Sequence, residues 1–138
     1  MQDDVLLNKI AELGHCLTRI NEEYQGHEQE FESELRRQDS VILNLTRACE
    51  NSIDLANHIV KIKKLGIPQT SRESFELLES AELISQDLCN RMKRMVGFRN
   101  IAIHSYARLS LAIIIQIIQE GLTDFDEFSQ MCLTLHTK

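Results

Sequence analysis

Leu6, Ile10, Leu13, Leu17, Ile20 and Tyr24 recur at steps of three and four. That interval places side chains on one stripe of a 3.6-residue helix. A single apolar stripe must bury itself against another element, so the chain has to supply further helices. Ile42, Leu45, Cys49, Ile53, Ala56 and Val60 mark a second helix over 39–65, stopped by Gly66-Ile67-Pro68. The intervening stretch 25–38 is polar and contains Gly26, which suits a connection or a helix end projecting into solvent. Thr70 and Glu73 have the spacing of a capping box, opening a short helix that buries Phe75 and Leu78. Ser85 is placed to cap a helix carrying Leu88, Met92 and Met95, which Gly97 either ends or bends. Residues 100–119 form a strong helix that is apolar on nearly every side, suited to a bundle centre or a subunit interface. Thr123 caps a last helix holding Phe125, Phe128, Met131 and Leu135. No alternating strand pattern, internal repeat or low-complexity run is visible. The expected architecture is all-α, a single domain over 1–138, folded as an up-and-down antiparallel bundle of four or five helices.

The formal net charge is -6, which argues against non-specific nucleic-acid binding by the whole surface. The charge is unevenly spread. Between Met1 and Glu34, nine acids face only Lys9 and Arg19, whereas Leu88–Gln119 holds no acid and carries Arg91, Lys93, Arg94, Arg99 and Arg108. Segregation of this kind also serves attraction between neighbouring helices.

Cys16, Cys49, Cys89 and Cys132 lack any C-x-x-C spacing and read as reduced, mostly buried small hydrophobes. The start, Met-Gln-Asp-Asp, has no apolar signal core, and the greasiest run, Leu109–Ile118, falls short of the ~20 residues of a membrane span. A cytoplasmic protein with no membrane partner is expected.

The charged and titratable groups Arg99, His104 and Tyr106 lie among isoleucines, in Arg-Asn-Ile-Ala-Ile-His-Ser-Tyr. On one straight helix, Asn100 and His104 share a face, and so do Arg99 and Tyr106. Arg99 and His104 sit five residues apart, about 140° around the axis at ~100° per residue. One straight helix does not aim both at a point. Either the backbone breaks near Arg99, or a second copy completes the site across a two-fold axis. The residue types suit RNA cleavage. RNA carries its own nucleophile, histidines move protons as base and acid, and arginine stabilises charge on phosphorus. Asn100 suits orienting a histidine or binding a phosphate oxygen, and Arg94, Lys93 and Arg108 are candidate RNA phosphate contacts. No metal is required by this scheme. His15, His27, His58 and His136 have no obvious partners.

The pattern Arg99-Asn100-x-x-x-His104-x-Tyr106 resembles the R-x4-H-x-Y signature of the HepT toxins, a branch of the HEPN superfamily. Gln38–Leu45, Leu65-Gly66-Ile67-Pro68 and Met95-Val96-Gly97-Phe98 resemble the same family, so the likeness runs over about residues 5–130. It implies a helical bundle that forms a two-fold homodimer with a composite cleft, and a metal-independent endoribonuclease acting as a toxin. It implies Arg99 and His104 as catalytic residues and Asn100 as the accessory polar one. It further implies an MntA-like nucleotidyltransferase antitoxin that uses ATP to adenylylate Tyr106. RNA is then the substrate, no DNA is expected, and this chain needs no cofactor of its own. Ser105 stands where relatives often carry an acid. The alternatives are a non-catalytic HEPN module that binds a nucleotidyltransferase or a nucleotide, and a plain helical interaction protein in which Tyr106 packs in the interface.

Overall fold

A computed structural model describes residues 3–136. Helix α1 (Asp4–Tyr24) begins where the Asp3 carboxylate accepts the Leu6 amide at 3.1 Å, satisfying one orphan donor of the first turn. It lies along α3 (Leu35–Ile62), and the two stripes read from the sequence meet. Leu6, Leu13 and Ile20 are buried against Val41, Leu45, Ala48, Leu55 and Ile59. Between these helices the polar stretch contains a one-turn helix, α2 (Glu28–Phe31). Its purpose is Phe31, which is fully buried and meets the Tyr24 ring edge-on with centroids 5.2 Å apart. That contact anchors the connection and lets α3 start four residues earlier than expected.

Helix α3 also ends earlier, at Ile62 rather than Leu65. The Leu65 amide returns to the Val60 carbonyl at 3.0 Å, and Lys64 takes the left-handed conformation (φ 53°) that this reverse turn demands. Gly66 follows at φ 137°, so the glycine shapes the exit rather than the cap. Helix α4 (Ser71–Ser80) opens as the sequence suggests: the Thr70 hydroxyl accepts the Glu73 amide at 3.1 Å. The reciprocal arm reaches one residue further back, with Glu73 accepting the Gln69 amide at 3.1 Å.

Helix α5 (Gln86–His104) is capped by Ser85, which accepts the Leu88 amide at 3.0 Å. It runs unbroken through Gly97. A Cβ there would lie 3.1 Å from the Arg72 guanidinium, so the glycine admits that side chain across α5 instead of ending the helix.

The expectation of one continuous helix over 100–119 is corrected. α5 stops at Ser105 (φ -147°, ψ 48°) and a 3-10 turn, Tyr106–Arg108, follows. α6 (Leu111–Gln116) then passes through a π turn, Ile117–Gly121, into α7 (Leu122–His136). Thr123 therefore caps nothing; its hydroxyl donates back to the Glu120 carbonyl at 3.4 Å inside a continuing helix. The π turn sets Gly121 beside α5, where a Cβ would stand 2.9 Å from the Met95 methyl. Phe125, Phe128 and Cys132 complete the core, with Phe128 edge-on to Phe75 at 5.4 Å. The result is an all-α bundle. None of its helices, among the described residues, is long and apolar enough to cross a membrane.

Candidate functional site

The acid-free stretch is not free of acids in space. Arg91 reaches Asp124 at 2.6 Å and Glu127 at 3.0 Å, tying α5 to α7, and also holds Asp87 at 2.9 Å. Asp124 and then Glu127 push its guanidinium still further from deprotonation. Lys93 pairs with Glu76 of α4 at 2.8 Å, so this candidate phosphate contact is already engaged within the fold. Arg72, Arg94, Arg99 and Arg108 have no ion-pair partner among the described residues. Three of them, Arg72, Arg94 and Arg108, line one groove of about 620 Å³ between α5 and the α6–α7 segment. Its floor is apolar, including Phe98, Ile113 and Ile117.

Arg99 is half-buried on α5. Its Nη2 donates to the Ser71 hydroxyl at 3.2 Å, and its Nε is buried with no hydrogen-bond partner. A charged guanidinium held by one hydroxyl and neutralised by nothing suits an anionic ligand. His104 is the last residue of α5 and is exposed. Asn100 is half-buried one position after Arg99. Because the helix is unbroken from Arg99 to His104, the two side chains diverge as straight-helix geometry requires. Of the two arrangements open on sequence grounds, a backbone break near Arg99 does not occur.

Tyr106 does not share the Arg99 face, because the helix has ended before it. It sits in the 3-10 turn, 50% exposed, and its hydroxyl donates to Asp39 of α3 at 2.5 Å. The adjacent carboxylate and partial burial push the phenol up to about 12. Asp39 was not singled out by sequence reasoning. It lies 67 positions away, and only the break at Ser105 swings Tyr106 toward it. Around the motif, Ile101, Ile103 and Ile113 remain 39%, 47% and 51% exposed.

Two of the other histidines do have partners: His58 contacts Asp3 at 2.8 Å and His27 contacts Glu30 at 2.7 Å. The His136 side chain lies outside the described residues. All four cysteines are free and buried, and burial pushes the Cys49 and Cys132 thiols up to about 12. Among the described residues no cluster of His, Cys, Asp and Glu is arranged to hold a metal ion.

Residues 13–132 match the family described as Ribonuclease HepT-like. The chain belongs to that family. An mRNA nuclease HepT from Shewanella oneidensis is 48% identical over 126 residues, covering 91% of this chain and 94% of the relative. The fold agrees with that of HepT-like relatives in solved structures. A tri-AMPylated Shewanella oneidensis HEPN toxin, in complex with an MNT antitoxin, superposes with a TM-score of 0.90 at 46% identity, covering 96% of this chain and 98% of that one. A toxin–antitoxin complex with AMP-PNP gives 0.88 at 46% identity, covering 94% and 98%. The HepT-like assignment thus rests on nearly the whole chain, with the Arg99–Tyr106 motif inside the matched region.

Proposed function

We propose that this HepT-like chain is a toxin that cleaves RNA at a cleft formed by two copies, and that adenylylation of Tyr106 by an MntA-like nucleotidyltransferase antitoxin silences it. The observation that carries the reading is the divergence of Arg99 and His104 on one unbroken helix end, next to exposed isoleucines. One chain presents one motif histidine, whereas cleavage with a histidine base and a histidine acid uses two. A second copy packed through Ile101, Ile103 and Ile113 supplies the other.

In such a cleft, His104 takes the proton of the ribose 2′-hydroxyl as its oxygen attacks phosphorus. His104 of the partner subunit protonates the departing 5′-oxygen. Arg99 stabilises the added negative charge on the phosphorane, with Asn100 holding an oxygen or an imidazole. Arg94 and Arg108 have no carboxylate partner among the described residues and are the phosphate contacts along the strand; Lys93, paired with Glu76, contributes less. The chemistry needs no cofactor in this chain, and ATP is consumed by the antitoxin. The cytoplasm, where RNA substrates are present, is its place of action; DNA, which lacks the 2′-hydroxyl, is not a substrate.

The relatives solved as a tri-AMPylated toxin and as a complex with AMP-PNP support silencing by nucleotide transfer. Phosphodiester-linked AMP on Tyr106 adds negative charge and bulk two residues from His104. Intact mass of the protein expressed with and without the antitoxin tests this. A gain of AMP mapped to Tyr106 is expected. No mass gain, together with no growth defect when the chain is expressed alone, would replace this reading with the non-catalytic binding module.

A further inference from the structure

The chain has two tyrosines, and their hydroxyls are held in opposite senses. Tyr24 is buried, and its oxygen accepts from Gln119 Nε2 at 2.9 Å, so that hydroxyl is tied into the core. Tyr106 is half-exposed, and its oxygen donates to Asp39 Oδ1 at 2.5 Å. Asp39 is exposed and has no ion-pair partner among the described residues, so its carboxylate is not spent on a cation. The backbone around Tyr106 is fixed by two turn hydrogen bonds, Arg108 N to Ser105 O at 2.8 Å and Leu109 N to Tyr106 O at 3.0 Å. A fixed, accessible phenol that already points its proton at a free carboxylate is an activated nucleophile waiting for an electrophile.

We propose that Asp39 is the proton acceptor and positioning group for Tyr106 when its hydroxyl takes an adenylyl group from the nucleoside triphosphate held by the antitoxin. This inference rests on the reading of Tyr106 as the modified residue and extends it to a second residue of this chain. Tyr106 Oη bonds to the α-phosphorus, the bond from that phosphorus to the bridging oxygen of pyrophosphate breaks, and pyrophosphate leaves. The Oη proton passes to Asp39 Oδ1. The raised pKa of the phenol agrees with this geometry: the hydrogen bond to Asp39 is its largest cause, and Asp39 is the one charged group contributing. Left to ionise alone, such a phenol is almost never tyrosinate near neutral pH; a base that accepts the proton during attack removes that barrier. An adenylyl group joined to AMP already present would react away from Asp39. The carboxylate therefore governs the first addition only.

The test uses the full chain, its antitoxin, ATP and Mg2+, with rates read by intact mass and the site mapped by peptide mass. Wild type, Asp39→Asn and Asp39→Glu are compared from about pH 6 to 9. Wild type is expected to label at Tyr106 with a nearly level rate. Asp39→Asn is expected to label about 100-fold more slowly at neutral pH, the lower range for a lost general base. Its rate should climb roughly tenfold per pH unit as attack comes to depend on tyrosinate. Molecules of that variant that do react should carry the same final number of AMP groups as wild type. Asp39→Glu keeps a carboxylate and recovers most of the rate.

The ionisable neighbours in sequence are Arg36 and Arg37 on α3, the latter paired with Glu34 at 2.5 Å, and His104 and Arg108 beside the turn, so the difference between variant and wild type carries the result. A tyrosinate absorbance titration reports the local structure independently: Tyr106 should fall from about 12 toward its ordinary value in Asp39→Asn. Equal rates and equal pH profiles for Asp39→Asn and wild type, with wild type labelled at Tyr106, would overturn the role of Asp39 alone. Wild type left unlabelled at Tyr106 would overturn the Tyr106 reading and this inference together. If Asp39→Asn fails to fold, the Glu variant decides: a folded Asp39→Glu chain as slow as an unassisted phenol would overturn the proposal.

Discussion

Replacing Arg99 by alanine separates a catalytic arginine from a structural one, because the structure sets the two costs far apart. The guanidinium makes one hydrogen bond, to the Ser71 hydroxyl at 3.2 Å, and leaves its Nε buried with no partner. Losing a hydrogen bond to a charged group costs about 1.5–3 kcal/mol, while removing an unsatisfied buried donor returns about 1–3 kcal/mol. The two nearly cancel, so Arg99→Ala should change stability by no more than about 1 kcal/mol. For a chain of 138 residues the unfolding entropy is about 0.3 kcal/mol/K, so the melting temperature should move by about 3 °C or less. RNA cleavage should instead fall by 100-fold or more, the scale seen when one donor to a transition-state oxyanion is removed. Calorimetry and single-turnover cleavage of a labelled RNA read the two quantities on one preparation. A melting temperature lowered by 8 °C or more, or a variant that cleaves as fast as wild type, would refute the reasoning.

Tyr106→Phe should escape the antitoxin: RNA cleavage in the presence of antitoxin and ATP persists for the variant and is abolished for wild type, read by the same assay. Phe128→Ala empties a fully buried site against Phe75 and should cost about 3–5 kcal/mol in urea unfolding, against less than about 1 kcal/mol for exposed Ile103→Ala. Arg91→Ala strands Asp124, which is largely buried, and should destabilise by about 2 kcal/mol or more, whereas pairing it with Asp124→Asn should recover part of that loss in a double-mutant cycle. Burial raises the Cys49 and Cys132 thiols from the ordinary range to about 12 in the folded state. The stability they contribute is complete below pH ~9 and is lost as pH rises toward about 12, so urea midpoints should decline across that window. A midpoint that stays level from pH 9 to 12 would contradict their burial.

The long helices were legible because their apolar stripes are strict: all six positions assigned to the face of α3 are buried, as are five of the six on α1. Thr70 and Ser85 were legible because a hydroxyl three residues before a free amide has few other uses. The break at Ser105 was not. No glycine or proline lies between Phe98 and Glu120, and a run of isoleucines carries no stop signal, so periodicity alone extends the helix. The π turn is equally silent in sequence, and Gly121 acquires its meaning only from the Met95 methyl beside it. The lone Phe31 in a polar stretch was the clue to α2, since an aromatic with no stripe still has to be buried somewhere.

At the site, the motif residues were readable as chemistry but not as geometry. Sequence spacing separated Arg99 from His104 correctly because the helix holds between them, and joined Arg99 to Tyr106 wrongly because it does not hold beyond His104. Asp39 was invisible for the same reason. Likewise, the uniform basic character of Leu88–Gln119 dissolved once Asp124, Glu127 and Glu76 arrived from other helices, leaving Arg94, Arg99 and Arg108 as that stretch's cations without a carboxylate among the described residues.

The shared cleft is tested most directly by mixing wild-type and His104→Ala chains in varied proportion at a constant total chain concentration, under conditions where subunits exchange, and following RNA cleavage. If each cleft needs the histidine of both copies, activity falls as the square of the wild-type fraction, because only wild-type pairs cleave. A loss that is merely linear in the wild-type fraction would mean that each chain cleaves on its own, and would contradict the two-copy mechanism.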